Sequence, residues 1–278
     1  MHFASFWSLL LVAFFAISFG YFIIFPAASP LSDHFGLIAI EIFLVLVSAA
    51  FLRLRRLRFE DFFLLNATTG RFLLATIPTA ICAILLLNEL DLVWRAYLAD
   101  FDLRLSPSQQ RSVLDIQIFQ DWRQWAGGLA AVAFFPAICE ELFFRGFIFT
   151  NLFGRYGARF ALGGSALFFG MAHLDLLQLP IFFLLGLFLA LLAYWSHSIY
   201  PAILAHLLNN LISLADVNLN LYGLSPIGSS SHLPWPMLIL LVLGLVWGLR
   251  FLRRLPSVMP LIPSMPTQVD FMEEHAPQ

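Results

Sequence analysis

The chain alternates long apolar runs with short polar stretches, and the apolar runs have the length of membrane-spanning helices. A helix needs about 20 predominantly apolar residues to cross the hydrocarbon core of a bilayer. The strict apolar/polar alternation of a membrane β-barrel is absent. The pattern therefore predicts an all-α, polytopic transmembrane helix bundle with about eight spans. The predicted spans are 3–25, 35–52, 71–88, 126–150, 158–175, 179–195, 199–215 and 235–252.

The composition agrees with a membrane protein. Hydrophobic residues make up 60% of the chain and charged residues only 12%, whereas soluble domains contain about 25% charged residues. The net charge of −2 gives no reason to expect a nucleic-acid partner, so the lipid bilayer is the expected surrounding. The first apolar run lacks a basic segment before it, and we interpret it as a retained span rather than a cleaved signal peptide.

The distribution of arginine predicts that both termini face the cytoplasm. Cytoplasmic loops of membrane proteins carry an excess of basic residues. With an even number of spans and a cytoplasmic N-terminus, ten loop arginines fall on the cytoplasmic side and four on the opposite side. The ten are Arg53, Arg55, Arg56, Arg58, Arg71, Arg155, Arg159, Arg250, Arg253 and Arg254, and the four are Arg95, Arg104, Arg111 and Arg123.

Four regions follow from the order of spans and loops. Residues 1–125 hold the N-terminal spans and, at 89–125, a polar loop whose interleaved apolar residues predict amphipathic helix on the bilayer surface. Residues 126–215 form a core that carries polar residues within its spans. Residues 216–255 contain the last loop and span, and the proline-rich tail 256–278 is expected to be disordered.

Two adjacent glutamates, Glu140 and Glu141, lie within the fourth predicted span. A charged side chain at the centre of the bilayer costs about 2.5–3.5 kcal/mol on insertion scales, so such residues are usually functional. Glu141 and Arg145 are four residues apart and are expected to pair on one helix face. Glu140 is rotated by about 100° from Glu141 and has no such local partner, which leaves it free for base chemistry. A structural alternative is that both acids bridge Arg145 and another helix.

Further polar residues occur within other predicted spans. His173 is near the end of the fifth span, and His206 and Asn210 share one face of the seventh. Taken singly, each is explained by an interfacial position or by hydrogen bonding between helices. Because three spans each supply a residue of catalytic type, together they favour an active site inside the bundle. Glu41, in the second span, has no visible partner and is interpreted as interfacial.

Three motifs in this core resemble those of the CPBP family, the CAAX-prenyl endoprotease-like (Abi) intramembrane proteases. They are Glu140-Glu141-x-x-x-Arg145, Phe169-x-x-x-His173 and His206-x-x-x-Asn210, in the family's order and on successive predicted membrane helices, with Gly146 also fitting. The resemblance covers about 125–215.

The resemblance implies hydrolysis of a peptide bond in a membrane protein or lipidated peptide. It assigns Glu140 and His173 to the activation of a water molecule, and His206 and Asn210 to the developing oxyanion. Glu141 and Arg145 would then orient the site.

A metal is a further expectation that the family raises, since its members are often labelled metalloproteases. Glu140, His173 and His206 could supply three ligands to a catalytic zinc ion, but the sequence has no His-Glu-x-x-His helix. We favour a glutamate mechanism without metal, and zinc stays an alternative.

Three other functions remain open from the residues alone. Buried acids and histidines also serve proton-coupled transporters, and the same residues could persist in a non-catalytic scaffold or immunity-type protein. Haem ligation by His173 and His206 is a third alternative, but it leaves the paired acids unexplained.

Overall fold

Helices account for the architecture of the computed structural model, which describes residues 4–28, 33–103, 117–119, 121–220 and 232–258, apart from the side chains of Glu60, Asp61 and Asn220. Within these ranges the chain forms eight helices of 15 or more residues and no strand, which confirms the predicted all-α bundle. The helices are α1 (Phe6–Ala28), α2 (Asp33–Leu54), α3 (Gly70–Ala99), α4 (Trp122–Tyr156), α5 (Ala158–Ala172), α6 (Leu179–Ser196), α7 (Tyr200–Asn220) and α8 (Trp235–Arg254).

Seven of the eight helices are long and apolar enough to cross a membrane, and α5 is the shorter one. It has 15 residues, or about 22 Å of helix, where a span over 158–175 was predicted. The helix ends early because Leu174 adopts a left-handed conformation (φ 54°). The Asp175 carboxylate then accepts hydrogen bonds from the backbone of Leu177 and Gln178, which fixes the turn into α6.

Helix α3 is longer than predicted, and polar side chains beyond residue 88 have hydrogen-bond partners on other parts of the chain. It runs for 30 residues to Ala99 instead of stopping at 88. Glu89 accepts hydrogen bonds from His232 Nδ1 (2.6 Å) and from the backbone of Leu233 (3.0 Å). Trp94 Nε1 donates to the Leu177 carbonyl at 2.6 Å. The first part of the predicted polar loop is thus helix.

Several sequence predictions fall outside the described ranges. The amphipathic segment is described only in part, since 104–116 and 120 are not covered, and neither is most of the tail, 259–278. The cytoplasmic orientation of the termini also stays a prediction.

Part of the connection between α2 and α3, residues 62–64 and 66, is buried against α4 and the α6–α7 connection. Its backbone carbonyls have partners on other elements, as polar backbone inside a membrane protein requires. Ile199 N donates to Leu64 O (2.9 Å), and Ser198 Oγ donates to Asn66 O (2.6 Å). Thr150 Oγ1, on α4, donates to the Phe62 carbonyl at 3.1 Å. The last of these bonds attaches the C-terminal part of α4 to the connection.

Helix α4 is the central element, and two π-helical segments interrupt its α-helical winding. An α-helical segment, Phe135–Glu141, lies between two π-helical segments, Leu129–Phe134 and Leu142–Phe149. Pro136 lacks the N–H of a regular helix turn, which fits the wider winding before it. π-Segments within helices are frequent at functional sites, and here they flank the two glutamates.

Helices α5 and α6 approach closely through glycine. A Cβ atom on Gly186 of α6 would lie 3.1 Å from both Cα and O of Ala166 on α5. Small residues permit such backbone contact between membrane helices. The close approach brings the Gly186 carbonyl to the side chains of α4.

Candidate active site

A buried ionic network surrounds Glu141. Its Oε1 accepts hydrogen bonds from Arg145 Nη1 at 2.6 Å and from His206 Nδ1 at 2.9 Å. Glu141 and Arg145 are both fully buried, which confirms the pairing predicted from their spacing. Arg145 Nη2 also donates to the Gly186 carbonyl at 2.9 Å. The network therefore joins α4 to α6 and α7.

Phe169 of α5 completes the packing of this network. The Arg145 guanidinium lies over its ring, 4.5 Å from the centroid, a favourable position for a cation on an aromatic face. The His206 ring meets the same phenylalanine edge-on, with centroids 5.7 Å apart. Three helices thus surround the Arg145 guanidinium with a carboxylate, a carbonyl and an aromatic ring.

Glu140 faces a different space, a cavity of about 40 Å³ between α1, α2, α4 and α5. A cavity needs about 10–15 Å³ to hold one water molecule, so this one accommodates water and excludes a peptide. Glu140 Oε2 is buried and has no hydrogen-bond partner among the described residues. The cavity is lined by Ile17, Tyr21, Ile40, Glu41, Leu44, Glu140, Phe144, Ala172 and His173.

His173 lies in the same cavity and has a fixed ring. Its Nδ1 is 2.9 Å from the Phe169 carbonyl, and because a carbonyl can only accept, Nδ1 carries the hydrogen. In the neutral ring Nε2 is then the acceptor. The imidazole stacks on Phe182, with centroids 3.9 Å apart and an angle of 20° between the planes. Glu140 and His173 therefore offer two proton acceptors around one water-sized space.

Glu41 and Tyr21 also line this cavity, and sequence reasoning missed both. The interfacial interpretation of Glu41 is wrong: its carboxyl faces the cavity from α2, and its Oε2 is buried without a partner in the described part of the chain. The rule that a carboxylate within a membrane span is usually functional would have predicted a role for Glu41. Tyr21 gives no comparable signal, since tyrosine is common in membrane helices.

The predicted site residues fall into two groups. Glu140 and His173 share the cavity, while Glu141, Arg145 and His206 share the ionic network. Asn210 is half-buried one turn after His206 and accepts a hydrogen bond from Asn209 Nδ2 at 3.2 Å. Asn210 is not among the residues that line the cavity, and it is not bonded to the ionic network.

The described residues do not fit a zinc ion. They contain no group of three or more His, Cys, Asp or Glu side chains placed to hold a metal. The expected ligand set is divided, because His206 is bonded to Glu141 whereas Glu140 and His173 line the cavity.

The fold and the site together are those of an integral, multi-pass membrane protein that buries acid–base side chains between its helices. Residues 122–212 match the family model described as type II CAAX prenyl endopeptidase Rce1-like. The matched segment contains all three sequence motifs and agrees with the resemblance that they indicate, so this part of the chain is similar to the type II CAAX prenyl endopeptidases. No curated protein and no solved structure matches the chain.

Proposed function

We propose that the chain is an intramembrane glutamate endopeptidase, which hydrolyses a peptide bond of a membrane-associated protein or lipidated peptide. The observation that carries this proposal is the water-sized cavity shared by Glu140 and His173, with one glutamate oxygen left unpartnered. A general base must lie within hydrogen-bond reach of the proton that it takes. A water in this cavity would meet that condition.

In the proposed reaction Glu140 accepts a proton from the water as its oxygen bonds to the carbonyl carbon of the substrate. The second O–H of the water donates a hydrogen bond to His173 Nε2, and this bond orients the water. When the tetrahedral intermediate collapses and the C–N bond breaks, the proton on Glu140 passes to the leaving amine. Positioned acid–base groups of this kind contribute about 10²–10⁴-fold in rate.

His206 and Asn210 would stabilise the oxyanion. Because Glu141 holds His206 by Nδ1, the ring can donate to an oxyanion only through Nε2, which carries hydrogen in the imidazolium form. The Asn210 side-chain amide is a second donor on the same face of α7. Fixed donors aimed at developing charge are usually the largest catalytic contribution.

Substrate binding requires the cavity to widen, because about 40 Å³ does not admit a peptide. Helices α4 and α5, which carry Glu140 and His173, form one side of the cavity, and α1 and α2 form the other side. To admit a peptide, α1 and α2 would move away from α4 and α5. The family description names prenylated CAAX substrates, so a farnesylated peptide ending in a CAAX tetrapeptide is the first probe.

The test uses purified protein in liposomes with this peptide and its unprenylated counterpart, and cleavage is followed by mass spectrometry. Glu140→Gln and His173→Gln should each reduce kcat by about 10²–10⁴-fold. Glu89→Gln is the matched control, because Glu89 lies on α3 with its partners outside the cavity. Cleavage by Glu140→Gln at the wild-type rate would refute the proposal.

A further inference from the structure

Glu41 of α2 is the carboxyl group of the cavity that the proposed reaction does not use, and with Tyr21 it is one of two unused polar residues there. It is the second carboxyl group on a space that holds only water, and the family match begins at residue 122, far beyond it. Its Oε2, like that of Glu140, is buried without a partner in the ranges that the structure describes.

Two carboxyl groups on so small a cavity cannot both be ionised without strong repulsion. Like charges in a shared, poorly solvated site cause one group to keep its proton, as in paired-carboxylate enzymes. No arginine is among the described residues that line the cavity, so none of these relieves the repulsion. The pair is therefore expected to carry one proton and one negative charge.

The negative charge belongs on Glu140 and the proton on Glu41. Glu140 directly precedes Glu141, to which Arg145 donates, so it lies near this guanidinium, whereas Glu41 projects from α2 on the opposite wall of the cavity. Glu141 does not compete for this proton, since Arg145 and His206 already donate to it.

We propose that Glu41 is a positioning residue, whose protonated carboxyl donates a hydrogen bond to the water that Glu140 and His173 activate. This inference rests on the proposed function. A water molecule makes four tetrahedral hydrogen bonds: it donates to Glu140 and to His173 Nε2, and it accepts from Glu41. The remaining lone pair is then the only one free to attack the substrate carbonyl. With two partners the water could rotate, and with three it is fixed.

The test compares Glu41→Gln with Glu41→Met in the liposome assay. Glutamine keeps a donor of the same length, so Glu41→Gln should retain kcat within about threefold. Methionine removes the donor at similar size, and kcat should fall by about tenfold or more with KM unchanged, because loss of orientation costs rate rather than binding. Ser48→Ala is the control, since it removes a buried hydroxyl on the same helix away from the cavity.

Each other outcome overturns the inference. Wild-type kcat in Glu41→Met would show that the third hydrogen bond is not needed. An equal loss in both variants would show that the carboxyl acts as an anion. A raised KM with unchanged kcat would make Glu41 a substrate contact. If Glu41→Met does not fold, Glu41→Gln decides alone, and a loss above tenfold overturns the inference.

An infrared difference spectrum separates this inference from the proposed function, because it needs no substrate. The spectrum of each variant is subtracted from that of the wild type. The carbonyl band of a protonated carboxylic acid should be present in the wild type, absent in Glu41→Gln and still present in Glu140→Gln. Loss of the band in Glu140→Gln instead would overturn the inference. If no peptide is cleaved, or if Glu140→Gln cleaves normally, the proposed function fails while the infrared result still decides the protonation of Glu41.

Discussion

The ionic network around Glu141 and the cavity around Glu140 give two neighbouring glutamates opposite surroundings. Glu141 is fully buried and its Oε1 accepts from a guanidinium and an imidazole. Glu140 is only half-buried and lines a small cavity. Its Oε2, like the Oε2 of Glu141, has no hydrogen-bond partner among the described residues. The same side chain is held firmly at one position and left available at the next.

The difference teaches how one helix separates stability from chemistry. A rotation of about 100° per residue directs Glu141 towards α6 and α7, and Glu140 towards α1, α2 and α5. The network fixes the rotation and depth of α4, and this fixes the position of the unpaired carboxylate. A reactive group on a rigid element supported by a second layer of contacts is more precisely placed than one on a loop.

The largest effect is expected from breaking the network. Arg145→Met leaves the Glu141 carboxylate buried without its cation, and loss of one partner of a buried ion pair costs about 3–5 kcal/mol. We expect a loss of this size in the free energy of unfolding, measured by denaturant titration in detergent micelles. Glu140→Gln should change it by less than about 0.5 kcal/mol, because Glu140 Oε2 has no partner to lose.

A double variant sharpens this comparison. Replacement of a whole buried ion pair by apolar residues is often neutral, so Glu141→Leu combined with Arg145→Met should regain about 2 kcal/mol or more over Arg145→Met alone. Arg250→Met, at an exposed position on α8, controls for the substitution itself. Equal stability of Arg145→Met and Arg250→Met would mean that the network does not stabilise the bundle.

A smaller effect is expected where α6 supports the network from the outside. Gly186→Ala places a Cβ 3.1 Å from Cα and O of Ala166, and backbone atoms cannot move aside as a flexible side chain can. Overpacking of this kind costs about 1–3 kcal/mol, and it shifts the carbonyl that accepts from Arg145. Thermal unfolding should show a lower Tm, with a smaller loss of stability than in Arg145→Met.

Gly163→Ala is the matched control for this variant. A Cβ at Gly163 would meet nothing within 4 Å, and alanine favours helix over glycine by about 1 kcal/mol. Gly163→Ala should therefore unfold at the same temperature as the wild type or slightly higher. An equal decrease in Tm for both variants would mean that replacing any helical glycine lowers stability, and that the contact between Gly186 and α5 is not the cause.

The sequence was sufficient for features that depend on local spacing. The bundle follows from the length of the apolar runs, and the Glu141–Arg145 pair follows from the spacing of four residues on one helix face. The separate character of Glu140 also follows, because the rotation between adjacent residues is fixed by helix geometry. Each of these features is determined within one helix.

Features that depend on contacts between helices could not be predicted. The position of Glu41 on the cavity is set by the packing of α2 against α4, which no single-helix pattern contains. The extension of α3 past Glu89 depends on His232 and Leu233, more than 140 residues away in the chain. Likewise, the shared histidine motif does not reveal that His206 bonds to Glu141 rather than facing the cavity.

The smallest effect, no change at all, is expected from removal of metal ions. His206 belongs to the ionic network, whereas Glu140 and His173 line the cavity. The described residues contain no group of three His, Cys, Asp or Glu side chains placed to hold a metal. Three protein ligands are the usual minimum for catalytic zinc. Cleavage of the farnesylated peptide should therefore proceed at an unchanged kcat after dialysis against a strong chelator. Loss of activity that zinc alone restores would contradict this division, since it would require His206 to leave Glu141 and turn towards Glu140.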